Sequence, residues 1–335
     1  MNVLAGDIGG TNTRLVFAEI IGNDRIILAE KSYPSQKYKA LLQVIEIFLS
    51  ESNINKPVNA ACIAVAGPVK SGMAEVTNLP WVISEEQLSE MLQTPHVTLI
   101  NDFVAVSYGI SGLLDSDILV LQQGLKNNNE PLNQDAAVIG AGTGLGASHL
   151  VWQEDHYQPF SSEAGHSGFA PENEQQCDLL AWLLKQQPYV SLEMLLSGKG
   201  IVTIYQYFRA VTDIPESINI KNEMQHSDPA QIITKYALLD GDELCQKTLE
   251  CFIDIYASAA SNIALHYYPV SEVFIAGGIA GKIKDKLLSQ RFIKSFVNKG
   301  AMSSNMKKLT IKLILQEKVG LYGALTKASM LFLKH

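Results

Sequence analysis

Asp7-Ile8-Gly9-Gly10-Thr11-Asn12-Thr13-Arg14 is the stretch on which the fold turns. Asn2 to Gly6 ahead of it reads as a short buried strand, Thr13 to Ile20 after it as a second, and Arg25 to Lys31 as a third. The two glycines let backbone N–H groups come close to an anion, and Thr11, Asn12 and Arg14 can add donors. The same residues also suit an ordinary hairpin turn, where glycine and asparagine are standard. The acid before the turn favours the anion reading. Asp7 at the end of a buried strand is costly without a cation or donors, and a Mg²⁺ ion carried by a nucleotide supplies one through water.

Working outward, apolar residues at positions 41, 42, 45, 48 and 49 predict a helix over Tyr38 to Leu49, and Asn59 to Ala66 returns to a strand, giving the order βββαβ. Ser84 to Leu92 has the signature of a helix with Ser84 as N-cap and Glu85 and Glu86 in its first turn. Val97 to Ile100 is the next strand, and Asn101-Asp102 marks the start of another helix. The layout then partly repeats. Ile118 to Leu121 and Ala136 to Ile139 read as strands, followed by Gly140-Ala141-Gly142-Thr143-Gly144-Leu145-Gly146 and a strand over Gly146 to Trp152. That turn holds four glycines in seven residues, where the whole chain has 24 in 335, so backbone must pass close to something there. Gly9 and Gly142 occupy comparable places a domain's length apart, which suggests two related halves. The remainder is predicted helical over Gln175 to Lys185, Leu192 to Arg209, Pro229 to Leu238 and Asp242 to Tyr267. Strands return at Val273 to Ala276 and Leu309 to Leu315, before a helix from Leu321 to Leu333.

With 335 residues and about 150 per domain, two domains are expected. Apolar residues at 47% against 18% charged indicate globular cores. The formal charge of -8 is the opposite of a nucleic-acid footprint, so no nucleic acid is expected as a partner. The N-terminus lacks the pattern of a signal peptide, and the apolar stretch Cys251 to Val270 is broken by Asp254, Asn262 and His266, so no membrane is expected and a cytoplasmic location is. Cys62, Cys177, Cys245 and Cys251 fit neither a disulfide framework nor a zinc site and are expected to be buried thiols. The second turn is no Rossmann fingerprint, because its spacing fails at Leu145 and a strand follows it. Ala276-Gly277-Gly278-Ile279-Ala280-Gly281-Lys282-Ile283 is no Walker loop, yet it reads as a strand turning tightly into a helix whose N–H groups could face a nucleotide.

Two glycine turns between strands, one per half, resemble the hexokinase, actin and heat-shock-chaperone ATPase superfamily. Within it Gly6-Asp7-Ile8-Gly9-Gly10-Thr11-Asn12, Ile100-Asn101-Asp102-Phe103, Gly140 to Gly146, Glu163-x-Gly165-His166 and Leu196-Ser197-Gly198-x-Gly200 resemble the bacterial ATP-dependent glucokinase family, in its order and over nearly the whole chain. The resemblance implies an α/β fold of two related ribonuclease-H-like domains around a central cleft, the actin-like ATPase fold. It implies residues 1–112 as a small domain completed by 314–335, and 113–313 as a large one. It further implies transfer of phosphate from ATP, with Mg²⁺, to the 6-hydroxyl of glucose, the entry step of glycolysis; a homodimer is allowed. Asp102 corresponds to the base that accepts the hydroxyl proton, and Asn101, Glu163, His166 and Glu193 to sugar ligands. Asp7, Gly9, Gly10, Thr11, Asn12, Gly142, Thr143, Gly144, Gly277 and Gly278 correspond to ATP and phosphate contacts. No direct protein cage for metal is implied, the Mg²⁺ coming with ATP near Asp7.

The residues by themselves leave alternatives. Asp at a strand-to-helix junction is often an N-cap, Glu163 and His166 could be an ordinary loop pair, and Glu193 could be the third residue of a helix. Ser162 and Ala164 stand where the family has glycines, Ser167-Gly168 replaces its usual Val-Asp, and Thr77-Asn78-Leu79-Pro80-Trp81 differs at its centre. These departures bear on sugar choice, so a kinase for fructose, mannose or an amino sugar is the alternative, with a non-catalytic sugar-sensing regulator behind it.

Overall fold

Two β-sheets with the same strand order carry the fold. In the computed structural model, which describes every residue except 23, 77–78, 125–134, 154–155, 240 and 334–335, the chain divides into two units. One comprises Met1–Leu114, Gln153–Pro159 and Gln316–His335, the other Asp115–Trp152 and Phe160–Leu315.

In the first unit β1 (Asn2–Ile8), β2 (Asn12–Ile21), β3 (Asp24–Pro34) and β4 (Ala60–Val65) precede a small antiparallel sheet of β5 (Val69–Lys70), β6 (Met73–Glu75) and β7 (Val82–Ser84). With β8 (Val97–Asn101) the main sheet runs β3-β2-β1-β4-β8. Its β1–β2 hairpin is antiparallel, while β4 lies parallel beside β1 and β8 parallel beside β4, the arrangement that crossover connections give. The side chains of β1 alternate between its faces. Leu4 and Ile8 join the core under the helix Leu41–Glu51, whereas Val3 and Ala5 join one with Ala105, Leu321, Ala324, Leu325 and Ala328. That second core is made by the helix Asp102–Gly109 crossing the helix Val319–Leu333.

The strands β9 (Ile118–Gln122), β10 (Ala136–Ala141), β11 (Leu145–Gln153), β12 (His156–Ser162), β13 (Glu272–Ala276) and β14 (Thr310–Ile314) form a second sheet in the order β12-β11-β10-β13-β14-β9. Its first five positions repeat the other sheet's order, and β9 is added antiparallel at the edge. A 24-residue helix, Glu243–His266, lies on this sheet with Tyr256, Ala257, Ala259 and Ala260 buried.

Several sequence expectations are corrected. The helix expected over Leu192 to Arg209 begins only at Gly198, because Ser197 caps it by accepting from Gly200 N at 3.1 Å, while Leu192, Leu195 and Leu196 reach the core from a turn. Glu193 is therefore not a helix-start residue. Cys177 is exposed rather than buried: the inward face of the helix Glu174–Leu184 is Gln176, Leu179 and Leu183, and position 177 falls off it. The small sheet, β12, the helix Ile218–His226 and the helices between 284 and 306 go beyond the sequence reading, whereas the helix read after Ala276 is present as Gly278–Lys282. Thr77 and Asn78 lie outside the described residues. No helix among the described residues is long and apolar enough to cross a membrane.

Candidate active site

The site residues of the first unit gather at the C-terminal ends of β1 and β8. Asp7 is the last residue but one of β1, opposite Arg14 of β2. The turn between them is tight, with Gly9 N donating to Asn12 O at 2.9 Å. Buried Ser35 holds it from below, its hydroxyl donating to Gly9 O at 2.8 Å and its N–H to Thr11 O at 2.9 Å. A Cβ at Gly9 would meet only Asn12 O, at 3.5 Å, so glycine there leaves the backbone accessible rather than relieving a clash. Thr11 and Asn12 are exposed at the tip. The turn is thus a hairpin with an open outer side.

Asn101 and Asp102 divide the junction between them. Asn101 is the N-cap, its Oδ1 accepting from Phe103 N at 2.9 Å and Val104 N at 3.4 Å, while its amide donates to Gly67 O at 3.2 Å. Asp102 is the first helical residue, with Oδ1 accepting from Phe103 N at 2.8 Å. Since the cap is Asn101, capping does not account for Asp102. Burial, and then the neighbouring charge of Asp7, push the Asp102 carboxyl up to about 6. Burial also raises Asp7, partly offset by Arg14. A Cβ on Gly320 would lie 4.0 Å from Asp7 Oδ2 and 3.9 Å from the backbone oxygen of Asp102, which brings the positive end of the helix Val319–Leu333 beside the Asp7 carboxylate.

A base must be ionised to accept a proton, and Asp102 ionises as pH rises through about 6. Turnover at low substrate is therefore expected to climb with unit slope up to pH ~6 and level off above it. Measured kcat/KM that stays flat between pH 5 and 8 would remove Asp102 from that role.

In the second unit the glycine turn after β10 is tied on every side. Gly142 N donates to Gly144 O at 2.8 Å and Gly198 N to Gly142 O at 3.0 Å. Leu145 N donates to Glu193 Oε2 at 2.9 Å, and a Cβ at Gly144 would stand 2.5 Å from that oxygen. At Gly142 and Gly278, by contrast, a Cβ would meet nothing within 4 Å, and Thr143, Gly277 and Gly278 are exposed. Gly277 needs to be glycine: its φ is +89°, and a Cβ would approach Ala141 O to 2.3 Å. Tyr256 joins the two turns, its hydroxyl accepting from Ala141 N at 3.2 Å and donating to Ala276 O at 3.1 Å. Burial pushes its ionisation up, so it stays a neutral hydroxyl that can do both. Sequence reasoning missed Tyr256; the signal was a lone phenol among the small residues of a buried helix.

Glu193 also reaches the third loop, its N–H donating to Gly165 O at 2.9 Å. Gly165 is pressed against the turn, since a Cβ there would meet Leu145 O at 2.2 Å. Glu163 and His166 flank it with their side chains 3.9 Å apart and largely exposed. Carboxylate and imidazole groups in such a loop suit sugar hydroxyls, which both donate and accept. The structure thus gathers Asp7, Gly9, Gly10, Thr11, Asn12, Asn101 and Asp102 on one unit, and Gly142, Thr143, Gly144, Glu163, His166, Glu193, Gly277 and Gly278 on the other.

Comparison with known proteins gives one answer. The Glucokinase family model matches residues 4–330. A glucokinase of Nostoc sp. strain PCC 7120 is 40% identical over 343 residues, covering 98% of this chain and 99% of its own. The crystal structure of a glucokinase from an Antarctic psychrotroph matches with a TM-score of 0.83 at 33% identity, over 98% of this chain and 99% of that one. A ROK family glucokinase from Streptomyces griseus, solved in complex with glucose and AMPPNP, shares the fold with a TM-score of 0.64 at 18% identity, over 98% and 100% of the two chains.

Proposed function

Because the chain belongs to the glucokinase family, we propose that it transfers the γ-phosphoryl group of ATP to the 6-hydroxyl of D-glucose, with Asp102 as the base. The observation that carries the reading is the Asp102 carboxyl: partly buried, raised to about 6, and relieved of the capping duty by Asn101. At neutral pH it is ionised yet basic enough to take the hydroxyl proton as the oxygen attacks phosphorus, a role that contributes about 10²–10⁴ in rate. Phosphate oxygens meet backbone N–H groups at the two turns with the open glycines, Gly9 and Gly142, and at Gly277-Gly278. The Streptomyces griseus complex, holding glucose and an ATP analogue on the same fold, is in keeping with both substrates. Glu163, His166 and Glu193 read the sugar's hydroxyls. The proposal places the reaction in the cytoplasm, where ATP is made and spent.

Mg²⁺ fits this residue set. Asp7 is a partly buried carboxylate that takes no hydrogen bond from protein among the described residues. Mg²⁺ keeps several of its waters and commonly arrives on phosphate, so one carboxylate beside it is enough. When bound, it neutralises the charge on the transferred group. Asp7 would orient its hydration shell, and Arg14 opposite Asp7 adds positive charge at the turn.

Kinases for another hexose remain the second reading because Ser162, Ala164, Ser167 and Gly168 depart from the family pattern in the sugar-reading loop. A coupled assay of ADP release over a panel of hexoses separates the two. Glucose is expected to have the highest kcat/KM, about tenfold or more above mannose and fructose, because each misplaced hydroxyl leaves a desolvated polar group unpaired. Equal or better turnover of fructose or an N-acetylated sugar would overturn the glucose assignment and leave the kinase standing.

A further inference from the structure

The side chains of Glu163 and His166 are 89% and 64% exposed, so packing does little to fix them, and the backbone they hang from must. That backbone is fastened at every step. Four successive carbonyls are taken: Glu163 O by His166 N at 2.9 Å, Ala164 O by Ser167 N at 3.1 Å and again by Ser167 Oγ at 2.6 Å, Gly165 O by Glu193 N at 2.9 Å, and His166 O by the Tyr189 hydroxyl at 2.7 Å. On the other side Ser162 Oγ accepts from Ala164 N at 3.1 Å. Three of these bonds come from side-chain hydroxyls, and two of those belong to residues where the chain departs from the family pattern, Ser162 and Ser167.

We infer that Ser162, Ser167 and Tyr189 form a hydroxyl clamp that positions Glu163 and His166, and that this clamp sets how sharply the enzyme tells hexose epimers apart. The inference rests on the reading of Glu163 and His166 as sugar ligands. A glycine at 162 offers no hydroxyl and more backbone freedom; the serine here replaces that freedom with a fixed point. Ser167 grips the following peptide unit, so Ala164 is held on both sides, at its N–H by Ser162 and at its C=O by Ser167. Tyr189 closes the end of the loop, where Gly168 pairs with Ser191 and Phe169 N donates to Val190 O at 2.9 Å. None of the three hydroxyls needs to touch the sugar. They act through the two side chains that do.

Steady-state kinetics with glucose and mannose, beside melting temperatures, test this in Ser162→Ala, Ser167→Ala and Tyr189→Phe. Each variant is expected to raise KM for glucose about 3- to 10-fold, as loss of one hydrogen bond allows, with kcat held within about twofold. The glucose-to-mannose ratio of kcat/KM should shrink by a similar factor, and Ser167→Thr, which keeps the hydroxyl, should behave as wild type. Unchanged KM in all three, or a KM rise matched by equal losses of kcat and melting temperature, would overturn the clamp. Glu163→Gln tells the two failures apart. If it raises KM strongly while the hydroxyl variants do not, the clamp alone is wrong; if it too leaves KM unchanged, the sugar-ligand reading falls.

Discussion

Replacing Asp102 by asparagine is expected to lower kcat by about 10²-fold or more while glucose still binds. The substitution keeps the size of the side chain and the oxygen that accepts from Phe103 N, and removes only the proton acceptor. Stability should not suffer, because the cap of that helix is Asn101. The direction of any change follows from the raised carboxyl. A group held near 6 in the fold and near 4 when unfolded favours the fold below pH ~4 and loses that contribution as pH rises through ~6. At pH 8 the asparagine variant should therefore melt at or slightly above the wild-type temperature. Steady-state assay and a thermal melt on one preparation decide it: near-wild-type kcat would falsify the assignment, and an early melt would refute the structural half of the argument.

The largest stability effect is expected at Gly323. A Cβ there would stand 1.7 Å from Ala105 O and 2.6 Å from Gly109 N, and a Cβ on Gly109 would stand 2.2 Å from Val319 O. The helices Asp102–Gly109 and Val319–Leu333 thus cross backbone to backbone. Gly323→Val must push them apart, with a cost of about 3 kcal/mol or more and a fall in melting temperature of about 6–12 °C. Kinetic damage should follow, since Asp102 opens one of the two helices. Gly281→Ala is the control: a Cβ there meets nothing within 4 Å, and alanine is the better helix former. A wild-type melting temperature in Gly323→Val would mean that the crossing is looser than described.

Much of this fold could be read from the letters, and for physical reasons. The β1–β2 hairpin announces itself through apolar strands on either side of Gly9-Gly10, and the same arrangement around Gly142 gives away the second sheet. Ser84 caps its helix because the capping rule is local. Misreadings occur where tertiary packing overrides local pattern. Leu192, Leu195 and Leu196 have helical spacing, yet Ser197 starts the helix beyond them. At the site, letters alone could not divide labour between Asn101 and Asp102, adjacent residues that both suit a cap; only the hydrogen bonds do that. Nor could they find Ser35 or Tyr256, whose hydroxyls reach turns 26 and 115 residues away in sequence. Bonds of that span leave no periodic trace.

The helix Val319–Leu333 has a consequence for how the protein is made. Its residues Leu321, Ala324, Leu325 and Ala328 cover Val3, Ala5, Cys62 and Ala64 on one face of the first sheet, yet they leave the ribosome about 200 residues after Leu114. At roughly 5–20 residues per second, that face waits about 10–40 s for its cover during synthesis. The second unit's strands and helices emerge in that interval and can assemble first. A part of the chain translated before the second unit is thus among the last to reach its native packing, and the apolar strip along β1 and β4 is what nascent-chain chaperones would meet in the meantime.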